Sequence, residues 1–421
     1  MKGDRWMKTM REDGNTIIGS AIEAVLPEAA VIKALENRKF SGKVVVIAIG
    51  KAAWNMAKAT QQTLNQQIDA GLVITKYEHA RGPIDGFEIV EAGHPIPDEN
   101  SVLGASKAIA LVEDLTEEDH VIFLVSGGGS ALFEKPMPGI MLEDIMDITE
   151  QLLGCGADIV EINTVRKHLS GVKGGKFALH CKKASIFAIV LSDVIGDRLD
   201  AIASGPAYPD GSTSEEALKI IKKYDLTVTD EMLKVLSIET PKEITNCETV
   251  ITGSVSALCD AASESAKALG YQPIILSSTL DCEAKEAGKF LAAIAREIHS
   301  HKTHHKKPIA MIVGGETVVR IIGKGMGGRN QELALSAALG IEGLDGTLIF
   351  SVGSDGTDGP TDAAGGMVDG TTAMKIRATG IEPEVYLDNN DSYHALQASG
   401  DLIMTGSTGT NVNDLIVLLC K

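Results

Sequence analysis

The chain contains 421 residues, of which 44% are apolar and 4% aromatic, together with 44 glycines. This length and composition exclude a disordered chain, a fibrous repeat and a small one-domain scaffold, because they supply enough aliphatic material for two buried cores. The formal net charge is −18, from 39 Lys and Arg against 57 Asp and Glu. This acidic balance argues against a long polyanion such as DNA or RNA as a partner.

Sequence signals for a membrane or for secretion are lacking. No apolar run approaches the roughly 18 residues of a membrane span. The N-terminal segment has neither the hydrophobic core nor the cleavage site of a signal peptide. The six cysteines form neither a disulfide framework nor a zinc-binding spacing. We therefore expect a cytoplasmic protein that binds neither membranes nor nucleic acid.

Short β-branched runs alternate with helical patterns in the first half of the chain. Because these runs are apolar along their whole length, they are typical of strands in a parallel sheet that helices cover on both faces. The pattern predicts a Rossmann-like α/β domain over residues 1–240. Its strands are expected at residues 44–50, 71–77, 87–92, 120–126 and 185–193, and its helices at 52–68, 101–115, 142–156 and 214–226.

A smaller α/β domain is expected over residues 241–421. Residues 235–248 contain turn-forming residues and no clear periodicity, which places the boundary near residue 240. The pattern leaves open whether the last strand packs back on the first domain. The predicted strands lie at 249–253, 273–278, 309–315, 318–323, 346–353 and 414–420, and the helices at 254–269 and 281–300.

Two turns in the first domain have the composition of an anion site. Lys51 follows a strand where a helix begins, and so its ammonium lies beside free helical N–H groups. The sequence Ser-Gly-Gly-Gly-Ser at 126–130 follows another strand and lets the backbone approach a ligand closely. An ordinary surface lysine and a flexible turn are the alternatives. Parallel sheets bind ligands at the carboxyl ends of their strands, which favours binding through Lys51, Ser126, Gly127, Gly128, Gly129 and Ser130.

Further polar residues of the first domain could converge on the same ligand. Asn163 and Arg166 share one face of a predicted helix, although a solvated cationic face is the alternative. Asp193 and Asp197 follow a strand, where carboxylates are suited to hold Mg²⁺ or to accept a proton from a hydroxyl.

In the second domain, the glycines at 323, 325 and 328 satisfy the pattern G-x-G-x-x-G, and Asp355 follows a later strand. This arrangement imitates a dinucleotide-binding fingerprint. Arg329 and Asn330 follow at once, and the arginine could instead act as a charge clamp on a transferring phosphoryl group. The chain contains no G-x-x-x-x-G-K-[ST], which excludes a P-loop NTPase.

Taken together, these segments resemble the class II glycerate kinases over nearly the whole chain, from about residue 15. The resemblance implies a two-domain α/β protein with its active site in the interdomain cleft. It also implies ATP-dependent phosphorylation of D-glycerate, usually to 2-phosphoglycerate, with 3-phosphoglycerate left open. The matching blocks are GKAAW, TKY, AGHPIPDENS, VSGGGSALFE, INTVRKHLSGVKGG, LSDVIGDRLDAIASGP, GGETVV, GGRNQELALSAA, DGTDGPTDAAGG and TGTNVNDL.

The resemblance places the family's proposed catalytic pair on Lys51 and Arg329, and we add Asp193 as a third catalytic candidate. Mg²⁺ is expected to be bound through ATP, with help from Asp193, Asp197 or Asp355. The matching blocks also predict ligand contacts at Gly315, Glu316, Asn330, Asp355 and Asn411.

Two alternatives belong to other functional classes. Some members of this family carry the name hydroxypyruvate reductase, and an NAD(P)-dependent reductase would use Gly323, Gly325, Gly328 and Asp355. A non-catalytic sensor of nucleotides or sugar acids would use the same cleft. The partners expected are the small molecules ATP and D-glycerate, and a homodimer is left open.

Overall fold

A computed structural model of the chain describes residues 2–192, 199–300 and 307–421, with side chains from residue 9 onwards in these ranges. The chain forms two compact units. The N-unit comprises Pro27–Thr252, and the C-unit comprises Met1–Leu26 together with Gly253–Lys421. The boundary thus follows residue 252, whereas the sequence placed it near 240. The first helix, α1 (Lys2–Ala24), belongs to the C-unit although it opens the chain.

The N-unit contains a six-stranded sheet in the order β3-β2-β1-β4-β5-β6. The pairs β1/β2, β1/β4, β2/β3 and β4/β5 are parallel, which confirms the predicted fold class. Strand β6, which the sequence predicted at 249–253 as the first strand of the second domain, is instead an edge strand of this sheet. The strands are β1 (Val44–Ile49), β2 (Ala70–Lys76), β3 (Phe87–Ala92), β4 (His120–Val125), β5 (Ser185–Leu191) and β6 (Cys247–Gly253).

Helices cover both faces of this sheet because alternate residues of each strand point to opposite sides. On β1, Val45 and Ile47 enter one apolar core, and Val46 and Ala48 enter the other. The N-unit helices are α2 (Pro27–Leu35), α3 (Ala53–Leu64), α4 (Glu99–Val112), α5 (Gly129–Leu132), α6 (Leu142–Gly154), α7 (Ile159–Leu169), α8 (Lys176–His180), α9 (Ser214–Lys223) and α10 (Asp230–Leu236).

The C-unit contains a mixed sheet in the order β11-β10-β9-β12-β8-β7. The last strand of the chain lies in the middle of this sheet, antiparallel to both neighbours. The strands are β7 (Gln272–Leu280), β8 (Ile309–Gly315), β9 (Thr347–Gly353), β10 (Gly365–Asp369), β11 (Leu402–Ile403) and β12 (Asp414–Cys420). The helices are α11 (Val255–Ala268), α12 (Ala284–His299), α13 (Arg329–Gly340), α14 (Thr372–Ala378), α15 (Pro383–Asp388) and α16 (Ser392–Ser399).

The strand predicted at 318–323 is wrong. Only an isolated bridge between Val318 and Glu283 forms there, and the side chains of Ile321 and Ile322 are 81% and 67% exposed. The segment has the β-branched, apolar composition of a strand, but among the described residues no neighbouring strand pairs along it. None of the helices described is both long enough and apolar enough to cross a membrane.

Helix α1 closes one face of the C-unit sheet. Ile17 is fully buried in the core that α1 shares with α11 and β9. Asp13 accepts hydrogen bonds from Tyr271 Oη (2.8 Å) and Lys421 Nζ (2.7 Å), and Arg11 pairs with Asp401 (2.7 Å). The two ends of the chain are thereby joined within one unit.

Shortening the buried Ile17 side chain tests this packing. We expect I17A to lower the free energy of unfolding of the C-unit by about 2–5 kcal/mol, because it leaves a cavity between α1 and the sheet. G19A is the control on the exposed side of α1, where an added methyl group would meet no atom within 4 Å. It should raise stability by about 0.5–1 kcal/mol. Calorimetry measures both changes, and equal stability of the two variants would contradict the docking of α1.

Candidate active site

The turns after β1 and β4 are joined by backbone hydrogen bonds. Gly50 has φ +111°, and a β-carbon there would lie 2.3 Å from Ser126 Oγ. Lys51 N–H donates to Gly127 O (2.9 Å), and Ser126 N–H donates to Ile49 O (3.0 Å). The glycine thus permits a close approach that brings Lys51 to the glycine-rich turn.

The Lys51 side chain is exposed beside Gly128, which has φ +82°. A methyl group on Gly128 would lie 3.2 Å from Lys51 Cγ and 3.0 Å from His94 Nε2. In the part of the chain that the structure describes, the Lys51 ammonium has no ion-pair partner. It is therefore available to an anionic ligand. His94 joins this cluster without having been predicted as a site residue.

A chain of polar side chains connects Asn163 and Arg166 with the same turn. Ser130 Oγ lies 2.8 Å from Ser204 Oγ, which donates to Asn163 Oδ1 (3.1 Å). Arg166 Nη2 donates to Ser130 O (3.3 Å). The structure thus brings together the predicted residues Ser130, Asn163 and Arg166 through Ser204, which the sequence analysis missed.

A buried ion pair supports this turn from below. Glu134 lies 2.9 Å from Lys173 Nζ and 3.9 Å from Arg166 Nη2, and Lys173 also donates to Phe133 O (2.8 Å). Burial lowers the pKa of Lys173 to about 8, and the charge of Glu134 only partly opposes this shift. The pair therefore fixes the backbone directly after α5.

Breaking the buried pair should destabilise the N-unit. K173M leaves the buried Glu134 carboxylate with only the more distant Arg166 (3.9 Å) as a cationic partner, and we expect the free energy of unfolding to fall by about 3–5 kcal/mol at pH 7. The double variant K173M/E134Q should recover part of this loss, because it buries no unpaired charge. Denaturant unfolding of the single and double variants measures the difference.

The control is K183M, because Lys183 is 80% exposed and should change stability by less than about 0.5 kcal/mol. The pKa of Lys173, about 8 in the folded chain, lies below the value of about 10.4 expected after unfolding. The unfolded chain therefore binds more protons between these values, and stability should rise with pH there. K173M should remove this slope, and an unchanged slope would contradict the assignment.

In the C-unit, Arg329 is held by two carboxylates at the start of α13. Its Nε and Nη2 donate to the two oxygens of Asp414 (2.6 and 3.0 Å), and its Nη1 donates to Glu316 Oε1 (2.7 Å). Asp414 opens β12, where it pairs with Gly315 of β8 and with Gly353 of β9. The predicted residues Gly315, Glu316 and Arg329 thus converge on Asp414.

Asp358 organises the amino end of α13. Its carboxylate accepts the backbone N–H groups of Asn330 (3.1 Å) and Gln331 (2.9 Å), which have no partner within the helix. Asn330 Nδ2 donates to Asp414 Oδ1 (3.1 Å), which links the two carboxylates. Asp358 and Asp414 were not among the predicted site residues, although they lie in the matching blocks DGTDGPTDAAGG and TGTNVNDL.

Electrostatics keep the guanidinium charged. Burial disfavours the charge of Arg329, but the hydrogen bonds and charge of Asp414 and the charge of Glu316 outweigh burial and raise its pKa. Burial raises the pKa of Asp414 to about 6, although the hydrogen bonds from Arg329 and Asn330 oppose the shift. Arg329 is therefore a fixed cation at neutral pH.

The glycine pattern at 323–328 does not form a dinucleotide-binding turn. The N–H groups of Ile322 and Gly323 donate to Asn390 Oδ1 (2.8 and 2.9 Å), and Gly325 N–H donates to Asn389 O (2.9 Å). A β-carbon on Gly328 would lie 2.3 Å from Asp358 Cγ. These glycines permit close packing of chain segments. The backbone N–H groups that would hold a pyrophosphate already donate to Asn389 and Asn390. The alternative interpretation, in which these glycines form the dinucleotide-binding turn of a reductase, is therefore wrong.

Of the remaining predicted residues, Asp355 lies near Asn330, since a β-carbon on Gly353 would be 3.3 Å from Asp355 Oδ1 and 3.5 Å from Asn330 Nδ2. Asp355 accepts a hydrogen bond from Thr357 N–H (3.0 Å) in the loop after β9, and Asn411 is exposed. Asp193 and Asp197 lie outside the described residues. Within residues 2–192, 199–300 and 307–421, no group of three or more His, Cys, Asp or Glu side chains is arranged to hold a metal ion.

Two family models match the chain: a domain of unknown function (DUF4147) over residues 13–237 and the MOFRL family over residues 309–414. A D-glycerate 2-kinase from Thermotoga maritima is 54% identical over 401 residues, which cover 95% of this chain and 96% of that protein. A glycerate 2-kinase from Pyrococcus horikoshii is 44% identical and covers 97% of both chains. A crystal structure of a glycerate kinase from Thermotoga maritima matches with a TM-score of 0.95 at 52% identity, and covers 98% of this chain and 100% of that chain.

Proposed function

This chain belongs to the class II glycerate kinase family, and we therefore propose that it transfers the γ-phosphoryl group of ATP to the 2-hydroxyl of D-glycerate. The products are 2-phosphoglycerate and ADP. The observation that carries the proposal is the 54% identity with a D-glycerate 2-kinase over 95% of the chain. The arrangement of Lys51 at the glycine-rich turn supports it, because phosphoryl transfer depends on positioning and on neutralisation of charge.

Lys51 is proposed to neutralise charge on the transferring group. In the reaction, the hydroxyl oxygen of glycerate bonds to the γ-phosphorus while the bond from that phosphorus to the bridging oxygen of ADP breaks. Negative charge spreads over the phosphoryl oxygens and the leaving group during this step. An exposed ammonium without an ion-pair partner among the described residues can meet this charge without first breaking another contact.

Arg329 is proposed as the second cation of the reaction. Its bidentate contact with Asp414 fixes the plane and the direction of the guanidinium, so that little reorganisation is needed during the reaction. Glu316 is a different kind of partner, because its side chain is 43% exposed and meets only Nη1. A phosphate oxygen can therefore replace Glu316 while Asp414 keeps the cation in place.

The glycine-rich turn is proposed to hold an anionic group of a substrate. Ser130 and Asn163 supply polar side chains that are already linked through Ser204. Arg166 adds a positive charge that is anchored to the turn by its contact with Ser130 O. Hydroxyl, amide and cationic groups can together bind the carboxylate and hydroxyls of a small hydroxy acid such as glycerate.

Mg²⁺ is proposed to enter with ATP. The described residues offer no cluster of three metal ligands. Mg²⁺ commonly retains several waters and is bound through nucleotide phosphates and one or two carboxylates. Asp355 is the candidate carboxylate within the described ranges, and Asp193 and Asp197 are the other candidates. When bound, the ion supplies charge neutralisation for the β- and γ-phosphates.

We also propose that the enzyme works in the cytoplasm. All six cysteines are unpaired thiols, and free thiols of this number are typical of a reducing compartment.

An assay with ATP, Mg²⁺ and D-glycerate tests the activity. We expect ADP to form in a one-to-one ratio with 2-phosphoglycerate, identified by NMR, and the reaction to stop when EDTA removes Mg²⁺. The control replaces ATP by NADH and glycerate by hydroxypyruvate. Oxidation of NADH without phosphoglycerate formation would support the reductase instead.

Substitution of the two cations tests their roles. We expect K51M and R329K each to lower kcat by about 10²-fold or more. Lysine at position 329 keeps the charge but cannot make the bidentate contact with Asp414. K219M and R377K are the matched controls. Lys219 and Arg377 form ion pairs with Glu215 and Glu342, and both lie far in sequence from Lys51 and Arg329. Values of kcat within a few-fold of these controls would exclude the assigned roles.

A further inference from the structure

We propose that His94 accepts the proton of the attacking hydroxyl of glycerate, an inference that rests on the proposed function and adds a catalytic residue to it. His94 lies two residues after the end of β3, at the carboxyl edge of the N-unit sheet. A methyl group on Gly128 would lie 3.0 Å from His94 Nε2 and 3.2 Å from Lys51 Cγ. The imidazole therefore lies at the same turn as the cation assigned to the phosphoryl group.

The ring nitrogens of His94 are not used by the fold. In the described part of the chain, neither nitrogen forms a hydrogen bond with another residue, and the side chain is half-buried. Other histidines of the N-unit differ in this respect: His168 Nδ1 lies 2.8 Å from Thr164 O, and His180 Nε2 lies 3.1 Å from Gly171 O. Those rings have structural partners, whereas His94 is free to bind a hydroxyl.

The surroundings of His94 favour a neutral ring that can accept a proton. Burial lowers its pKa below the ordinary value, and nearby positive charges lower it further. These charges come from Lys51 in the turn after β1, from Lys76 at the end of β2 and from His79 in the following loop. At pH 7 the ring is therefore neutral, as a general base requires.

Hydrogen bonds and close contacts brace the loop that carries His94. The Asp98 carboxylate accepts hydrogen bonds from Tyr77 Oη (2.7 Å) and from Ser101 N–H (3.1 Å) at the start of α4. A β-carbon on Gly93, the residue before His94, would lie 3.1 Å from Asp98 Oδ2. A β-carbon on Gly93 would lie 2.5 Å from Ile96 O, so the loop is tightly folded. The imidazole is thus positioned by its backbone before any ligand binds.

The step conserves atoms and charge. The hydroxyl oxygen of glycerate forms its bond to the γ-phosphorus of ATP, and the bond to the ADP oxygen breaks with its electron pair. The hydroxyl proton moves to a ring nitrogen of His94, which becomes imidazolium and later releases the proton to water. Transfer to a positioned base commonly contributes about 10²–10⁴-fold to a rate.

The experiment compares H94Q and H94A with the unsubstituted enzyme in single-turnover phosphorylation of D-glycerate. We expect both variants to lose about 10²-fold in the rate of phosphoryl transfer, with KM for ATP and glycerate changed by no more than a few-fold. Added imidazole should restore H94A activity in proportion to its neutral fraction, because the free base replaces the missing side chain. A purely structural role would show no such rescue.

H120Q is the matched control, since His120 lies at the opposite, amino end of the same sheet and packs edge-on against Phe40. H94Q activity within a few-fold of H120Q would overturn the proposal, as would a defect confined to KM. Thermal unfolding verifies that the variants fold. If H94A does not fold, H94Q alone is compared with the unsubstituted enzyme. If the unsubstituted enzyme does not phosphorylate glycerate, the proposed function fails; if it does and H94Q is equally active, only the role of His94 fails.

Discussion

The close approach of the turns after β1 and β4 is the constraint on which the N-unit site depends. Gly50 permits it, because any β-carbon there would collide with Ser126. The approach joins two strand ends by backbone hydrogen bonds and aligns Lys51 with the glycine-rich turn. His94 reaches the same turn because β3 runs parallel to β2 and β2 runs parallel to β1. A parallel sheet thus gathers side chains from distant segments at one edge.

The C-unit presents its cation by different means. Arg329 begins a helix whose first N–H groups are bound by Asp358, and its guanidinium is fixed by Asp414 from the neighbouring strand. In a chain with a net charge of −18, such pairing keeps a cation oriented at a defined place. The N-unit leaves Lys51 without an ion-pair partner among the described residues. The N-unit therefore offers an exposed positive charge without an ion-pair partner among the described residues, and the C-unit offers one that carboxylates hold in place.

Strand composition and local turns were sufficient to predict much of the N-unit. Strands that are apolar on both faces are typical of a parallel sheet covered by helices, and the turns after them lie at its carboxyl edge. The grouping of Lys51 with Ser126–Ser130 was predictable on that basis. The placement of α1 was not, because an amphipathic helix can pack on any matching apolar surface. Ser204, Asp358 and Asp414 were missed because their roles depend on partners far away in the chain.

The glycines at 323, 325 and 328 show most clearly how a local sequence pattern can differ from what the tertiary structure forms. Their spacing matches a dinucleotide-binding turn, yet the N–H groups in this segment donate to Asn389 and Asn390. The local sequence determines which residues can form a strand or a turn and which can tolerate the close approach of another segment. These preferences arise from each residue's own backbone and side chain. Which segment then makes that approach depends on packing between residues more than 60 positions apart, and no local pattern contains that information.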